Sequence, residues 1–81
     1  MNKVKLRTCF SQALGIPFEG VTDDLAYNSI TAWDSVGHMA LVAEIEAAFD
    51  VMLETDDLLG MSSVGKAAEI LVRYGVPFDA A

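Results

Sequence analysis

Apolar side chains recur at three- and four-residue spacing in three separate stretches of this chain, and nowhere do they alternate with polar ones over the length of a strand. That is the period of helices with one buried face each. Leu6, Cys9, Phe10, Ala13 and Leu14 make the first stripe, and Gly15 followed by Pro17 stops it, so the first helix is expected over residues 3–14. Val36, Met39, Val42, Ile45 and Phe49 make the second. They predict a helix from about Ser35 to Asp50, with Asp34 or Ser35 as N-cap, since both residue types accept a hydrogen bond from early backbone N–H groups. The third stripe is Val64, Ala67, Ala68, Leu71 and Val72, capped by Ser62 or Ser63 and closed near Tyr74 by Gly75 and Pro77. A short helix fits Asp56–Gly60.

Between the first two helices, residues 15–34 read as a long loop anchored by Ile16, Val21, Leu25 and Ile30; loops of this length need anchors or a function. Trp33 is expected as a packing lid over the end of the bundle. Gly37 costs about 1 kcal/mol relative to alanine within a helix, unless an enzyme or a bound group has to come close there. With no repeat and no low-complexity tract, the expected architecture is all-α: a small bundle of three main helices and one short one, forming a single domain over residues 1–81.

Composition narrows the functional classes. A chain of 81 residues supports one modest core. Its apolar fraction of 53% is high, yet no run approaches the roughly 18 apolar residues of a membrane span. Lys3, Lys5 and Arg7 imitate the start of a signal peptide, but Thr8, Ser11 and Gln12 interrupt the apolar segment that should follow, so a cytoplasmic location is expected. Cys9 has no partner for an internal disulfide and lies on the first apolar stripe, where it reads as a small buried hydrophobe. Residues 8–65 hold ten of the 12 carboxylates and no Lys or Arg, and the net charge is −7. Nucleic acid is therefore disfavoured, and basic protein partners are favoured.

The candidate chemistry centres on Trp33-Asp34-Ser35-Val36-Gly37-His38. Ser35 falls on the first turn of the second helix, where unpaired N–H groups and the macrodipole favour a negative substituent such as a phosphodiester. A serine there also has a plain role as a cap. Two further sets stand in order along the chain: Leu41, Ile45, Glu46, Phe49, Asp50 and Leu53, then Ser63-Val64-Gly65. Together they make the chain, from Leu14-Gly15 to Val72, resemble an acyl carrier protein. Lys66 departs from the family's pattern, which has an acid after Val-Gly.

The resemblance implies that Ser35 receives a 4′-phosphopantetheine arm from coenzyme A, through a phosphopantetheinyl transferase that recognises Asp34 and the adjoining helix. The protein is then a monomeric carrier and not an enzyme. Its partners are acyl-loading and acyl-accepting enzymes, docking on Val36, Met39, Glu46 and Asp50. Fatty-acid-synthesis carriers tend to have a denser acidic face after the serine, whereas Gly37, Ala40 and Ala47 stand at matching positions here. Trp-Asp-Ser followed by Gly-His resembles discrete carriers of polyketide, nonribosomal-peptide or hydroxyacyl-loading systems.

Met39, Met52 and Met61 are expected mainly in the core, and an acyl groove is expected among Met39, Ile45, Met61, Val64 and Ala68. Rival readings are an unmodified helical interaction domain and a minimal hydrolase using Asp34, Ser35 and His38. The hydrolase lacks a Gly-x-Ser-x-Gly elbow, and His38 is expected to face the surface. No metal is expected, since one His, one Cys and scattered acids do not make a zinc or EF-hand set.

Overall fold

A computed structural model of the protein describes residues 2–78; the expected domain of residues 1–81 extends past them at both ends. Four α-helices follow in order: α1 (Asn2–Leu14), α2 (Ser35–Phe49), α3 (Thr55–Gly60) and α4 (Val64–Arg73), with one 3-10 turn at Phe18–Gly20. The all-helical bundle agrees with the expected one, and no strand is present among the described residues. No helix there is long and apolar enough to cross a membrane.

The buried apolar side chains form one cluster, in which Leu6, Phe10, Trp33, Leu41, Ile45 and Leu71 are at most 1% exposed. Each such side chain stabilises the fold by about 1.5–3 kcal/mol relative to leaving it in water. α1 packs chiefly on α2 through its Leu6, Cys9, Phe10 and Leu14 face, as its periodicity predicts. Trp33 is not a lid: it is fully enclosed, edge-on to Phe10 with ring centroids 5.2 Å apart.

On α2 the buried face is Leu41, Val42 and Ile45, while Val36 and Met39 are 77% and 62% exposed. The expected stripe thus starts on the wrong side. At about 100° per residue, Val36 lies nearly opposite the His38–Leu41–Val42–Ile45 face and Met39 lies to its flank. Met52, also expected inside, is exposed in the segment after α2, and only Met61 of the three methionines is buried. α4 shows a similar rotation: Ile70 turns inward and Val72 outward, because the face that meets the core is centred on Ala67 and Leu71.

The helix ends have local causes. α2 ends at Phe49 because Asp50 takes the left-handed conformation (φ 54°), and Val51 N–H then closes back on the Glu46 carbonyl at 3.3 Å. α4 ends in a two-bond C-cap around Gly75 (φ 87°), with Gly75 N–H on Val72 and Val76 N–H on Leu71. α3 starts one residue earlier than expected, at Thr55.

The 15–34 segment is sewn to the start of α4. Tyr27 N–H donates to Ser62 (2.8 Å), Val64 N–H to Leu25 (3.0 Å) and Gly65 N–H to Asp23 (3.0 Å), while Ala26 and Ser63 pair as an isolated bridge. Val21 anchors the segment in the core, and Asp23 meets Lys3 and Arg7 of α1 at 3.3 and 3.8 Å.

Candidate functional site

Asp34, and not Ser35, caps α2: its Oδ1 accepts from Gly37 N–H at 2.9 Å. Ser35 is therefore the first helical residue and lies exposed. Its hydroxyl makes no hydrogen bond among the described residues, and neither do the backbone N–H groups of Ser35 and Val36. An exposed nucleophilic oxygen thus stands at a helix start with open donors, where the macrodipole favours added negative charge.

The space that Gly37 leaves is filled by the protein itself. A Cβ there would fall 2.1 Å from the backbone oxygen of Ala32 and 3.1 Å from Leu14 Cδ2, so the close approach is internal and not that of an enzyme or an arm. Only glycine lets the preceding loop press against the first turn of α2.

His38 departs from its expected surface position and is half-buried. Trp33 Nε1–H, which can only donate, lies 3.0 Å from His38 Nδ1, so that nitrogen is the acceptor. Nε2 then carries the proton and donates to the Leu58 carbonyl at 2.8 Å. The two rings lie nearly parallel, with centroids 6.2 Å apart and planes 15° from parallel, and Tyr27 stands edge-on to both. With both ring nitrogens engaged and Asp34 committed to Gly37, these three residues do not form a catalytic triad.

Beside Ser35 a cleft of about 370 Å³ opens between the start of α2 and the end of α3. Tyr27, Ser35, His38, Met39, Leu59, Met61 and Ser62 line it. Of the five residues expected in a groove, Met39 and Met61 are here. Ile45 is wholly enclosed, and Val64 and Ala68 line a separate hollow of about 120 Å³ with Leu6 and Phe78. Tyr27, Leu59 and Ser62 escaped the sequence reading. A helix of six residues carries too few turns for Leu59 to show a period, and Tyr27 and Ser62 meet only through the loop pairing.

The other nominated residues have structural occupations. Glu46 Oε2 accepts from Leu53 N–H at 2.9 Å, and Asp50 supplies the left-handed helix stop. α3 is tied to α4 through Asp57, which receives the Tyr74 hydroxyl and the Arg73 guanidinium. The Tyr74 bond first, and Arg73 after it, hold the Asp57 carboxyl below the ordinary carboxylate range, while the same bond pushes the Tyr74 phenol up. Burial raises the thiol of Cys9, with the Glu44 charge adding and Lys5 opposing, as suits an inert core cysteine. Among the described residues no group of three or more His, Cys, Asp or Glu side chains is placed to hold a metal ion.

A family model described as the phosphopantetheine attachment site matches residues 4–71, well over half of the chain. No curated protein matches it.

Proposed function

This chain belongs to the phosphopantetheine attachment-site family, and from that premise we propose that Ser35 is the residue that bears its prosthetic group. The protein is a carrier and not an enzyme, and its prosthetic group is 4′-phosphopantetheine. When bound, that group supplies a mobile thiol on which cargo is held as a thioester. Such carriers work with a phosphopantetheinyl transferase and with enzymes that load and unload the thiol.

One observation carries the assignment to Ser35. Asp34 has taken over the capping that would otherwise explain the serine, leaving an exposed, unbonded hydroxyl at a helix start whose donors are open. A phosphodiester fits there, because its negative charge meets the positive end of α2 and the hydroxyl opens onto solvent. Asp34 holds the attachment turn in shape and offers the transferase a carboxylate to recognise.

Docking is assigned to Val36 and Met39, exposed on the first turns of α2 after the serine, with half-buried Glu46 and exposed Asp50 contributing from the edge of its far end. The exposed face of α2 comprises Ser35, Val36, Met39, Ala40, Ala43, Glu44 and Ala47, in which Glu44 is the one acid. Partners therefore meet it mainly through apolar contact. That face, together with Trp33-Asp34-Ser35 followed by Gly37-His38, supports a cargo of polyketide, nonribosomal-peptide or hydroxyacyl type over housekeeping fatty-acid synthesis.

Intact mass after incubation with coenzyme A and a broad-specificity transferase tests the attachment. One added arm is expected on the native chain and on Ser63→Ala, and none on Ser35→Ala. No addition with a transferase that modifies a control carrier overturns the reading in favour of an unmodified interaction domain.

A further inference from the structure

From the surface inward at the attachment turn, the residues form successive layers. The cleft beside Ser35 has His38 in its wall. Next to His38 lies the Trp33 indole, nearly parallel to it and bonded to its Nδ1. Behind Trp33 lies Phe10, edge-on and fully enclosed in the core. On the other side, His38 Nε2–H holds the Leu58 carbonyl and so fixes α3, whose Leu59 forms part of the cleft's rim. The imidazole thus joins three parts of the chain: the loop before α2, α2 itself, and α3.

We infer that the hydrogen-bonded pair Trp33 and His38 is a plug that confines an apolar cargo segment to the surface cleft and bars it from the interior of the bundle. The inference rests on Ser35 being the attachment residue. A chain moving inward through the His38 wall of the cleft has to displace the imidazole, which means breaking two hydrogen bonds. It would also leave the indole N–H of a fully buried tryptophan without an acceptor, and that is costly in a dry interior. Leu41 and Ile45 follow His38 along the inner face of α2 and are both fully enclosed, so they report on any cargo that passes it. The cleft by contrast is open, mainly apolar at Met39, Leu59 and Met61, and contains the attachment serine. His38 is accordingly a positioning residue that decides where the cargo rests.

The test compares chains bearing the arm alone with chains bearing an octanoyl arm, prepared with a transferase from coenzyme A and octanoyl-coenzyme A. Loading is verified by intact mass, so failure of the attachment reading is seen first and separately. Between the two loaded forms of the native sequence, methyl resonances of Met39, Leu59 and Met61 are expected to shift, and those of Leu41 and Ile45 to stay in place. In His38→Ala the Leu41 and Ile45 methyls should shift as well. His38→Gln should restore exclusion, because its amide accepts from the indole through oxygen and donates to Leu58 through nitrogen. Shifts at Leu41 and Ile45 in the native form overturn the plug, and this result needs no variant to fold. Continued exclusion in folded His38→Ala overturns it too.

Discussion

The tripeptide Ser-Val-Gly opens two helices of this protein, and the two copies do opposite things. In α4, Ser63 is the N-cap, its Oγ accepting from Lys66 N–H at 3.1 Å, and Val64 is 2% exposed. In α2, the cap is one residue earlier, at Asp34, so Ser35 becomes helical and Val36 is 77% exposed. The start of α4 is covered by its own chain, with Val64 and Gly65 N–H bonded to Leu25 and Asp23. The start of α2 leaves the corresponding donors open. The difference lies in what the rest of the chain does with the free N–H groups of a helix start: it uses them at α4 and leaves them open at α2. A frame shift of one residue moves the serine from the cap, where its hydroxyl is bonded, into the helix, where it is exposed and unbonded.

The largest expected difference between the two sites is chemical. Ser35→Ala should abolish arm attachment while changing stability by less than about 0.5 kcal/mol, because no bond to its hydroxyl is lost. Ser63→Ala should leave attachment intact and cost about 1 kcal/mol through loss of the cap. Intact mass and urea unfolding of the two variants check the crossing. A large stability loss in Ser35→Ala would mean the serine has a structural bond after all.

The glycines of the two copies should differ next. A Cβ at Gly37 would meet the Ala32 carbonyl oxygen at 2.1 Å, backbone against backbone, so the loop or the helix has to move. Gly37→Ala should cost about 3 kcal/mol in spite of alanine's better helix propensity. At Gly65 the nearest atom is Asp23 oxygen at 3.3 Å, a contact that a small adjustment relieves, and Gly65→Ala should stay within about 1 kcal/mol of the native protein. Denaturant midpoints decide between this ordering and its reverse.

Much of the fold was readable in advance. The α1 stripe, the glycine stops at Gly15 and Gly75, and the all-helical class follow from spacing and turn chemistry that act over a few residues. The rotation of α2 was not readable, because apolar side chains occur on both of its sides and only contact with α1 and Trp33 selects Leu41, Val42 and Ile45 as the inner face. The same holds for the turn at Asp34 and Ser35. Asp34 and Ser35 are equivalent cap formers by type, and their roles are separated by which frame buries the helix correctly. His38 illustrates the limit most clearly, since its partners Trp33 and Leu58 lie 5 and 20 residues away, and nothing at position 38 announces the second.

Asp34 allows a finer separation of holding the turn from presenting it to the transferase. Asp34→Asn keeps an oxygen to accept from Gly37 N–H and should change stability by less than about 0.5 kcal/mol. If the carboxylate also serves recognition, the rate of arm attachment to Asp34→Asn should fall several-fold in initial-rate measurements. Asp34→Ala should lose both properties, with about 1 kcal/mol gone from stability. An Asp34→Asn chain loaded at the native rate would confine the residue to capping.

The smallest effect concerns α3, which is tied to the start of α2 through Leu58 and His38 and to the end of α4 through Asp57, Tyr74 and Arg73. Asp57 is held below its ordinary pKa in the fold, so its contribution is complete above about pH 4 and is lost as pH falls through the depressed value. Tyr74 is raised, so its contribution is complete below about pH 10 and is lost as pH climbs through the elevated value. Both groups border solvent, which keeps each contribution small. Tyr74→Phe removes the hydrogen bond that does most to shift both groups and should flatten both limbs of the stability profile, with little change near neutrality beyond a constant offset. Amide exchange read across the same pH range should show loosening in α3 while the covered start of α4 stays protected, because its bonds to Leu25 and Asp23 are made by backbone groups that do not titrate. Equal loosening at both helix starts would show that α4 depends on the clamp as much as α3 does.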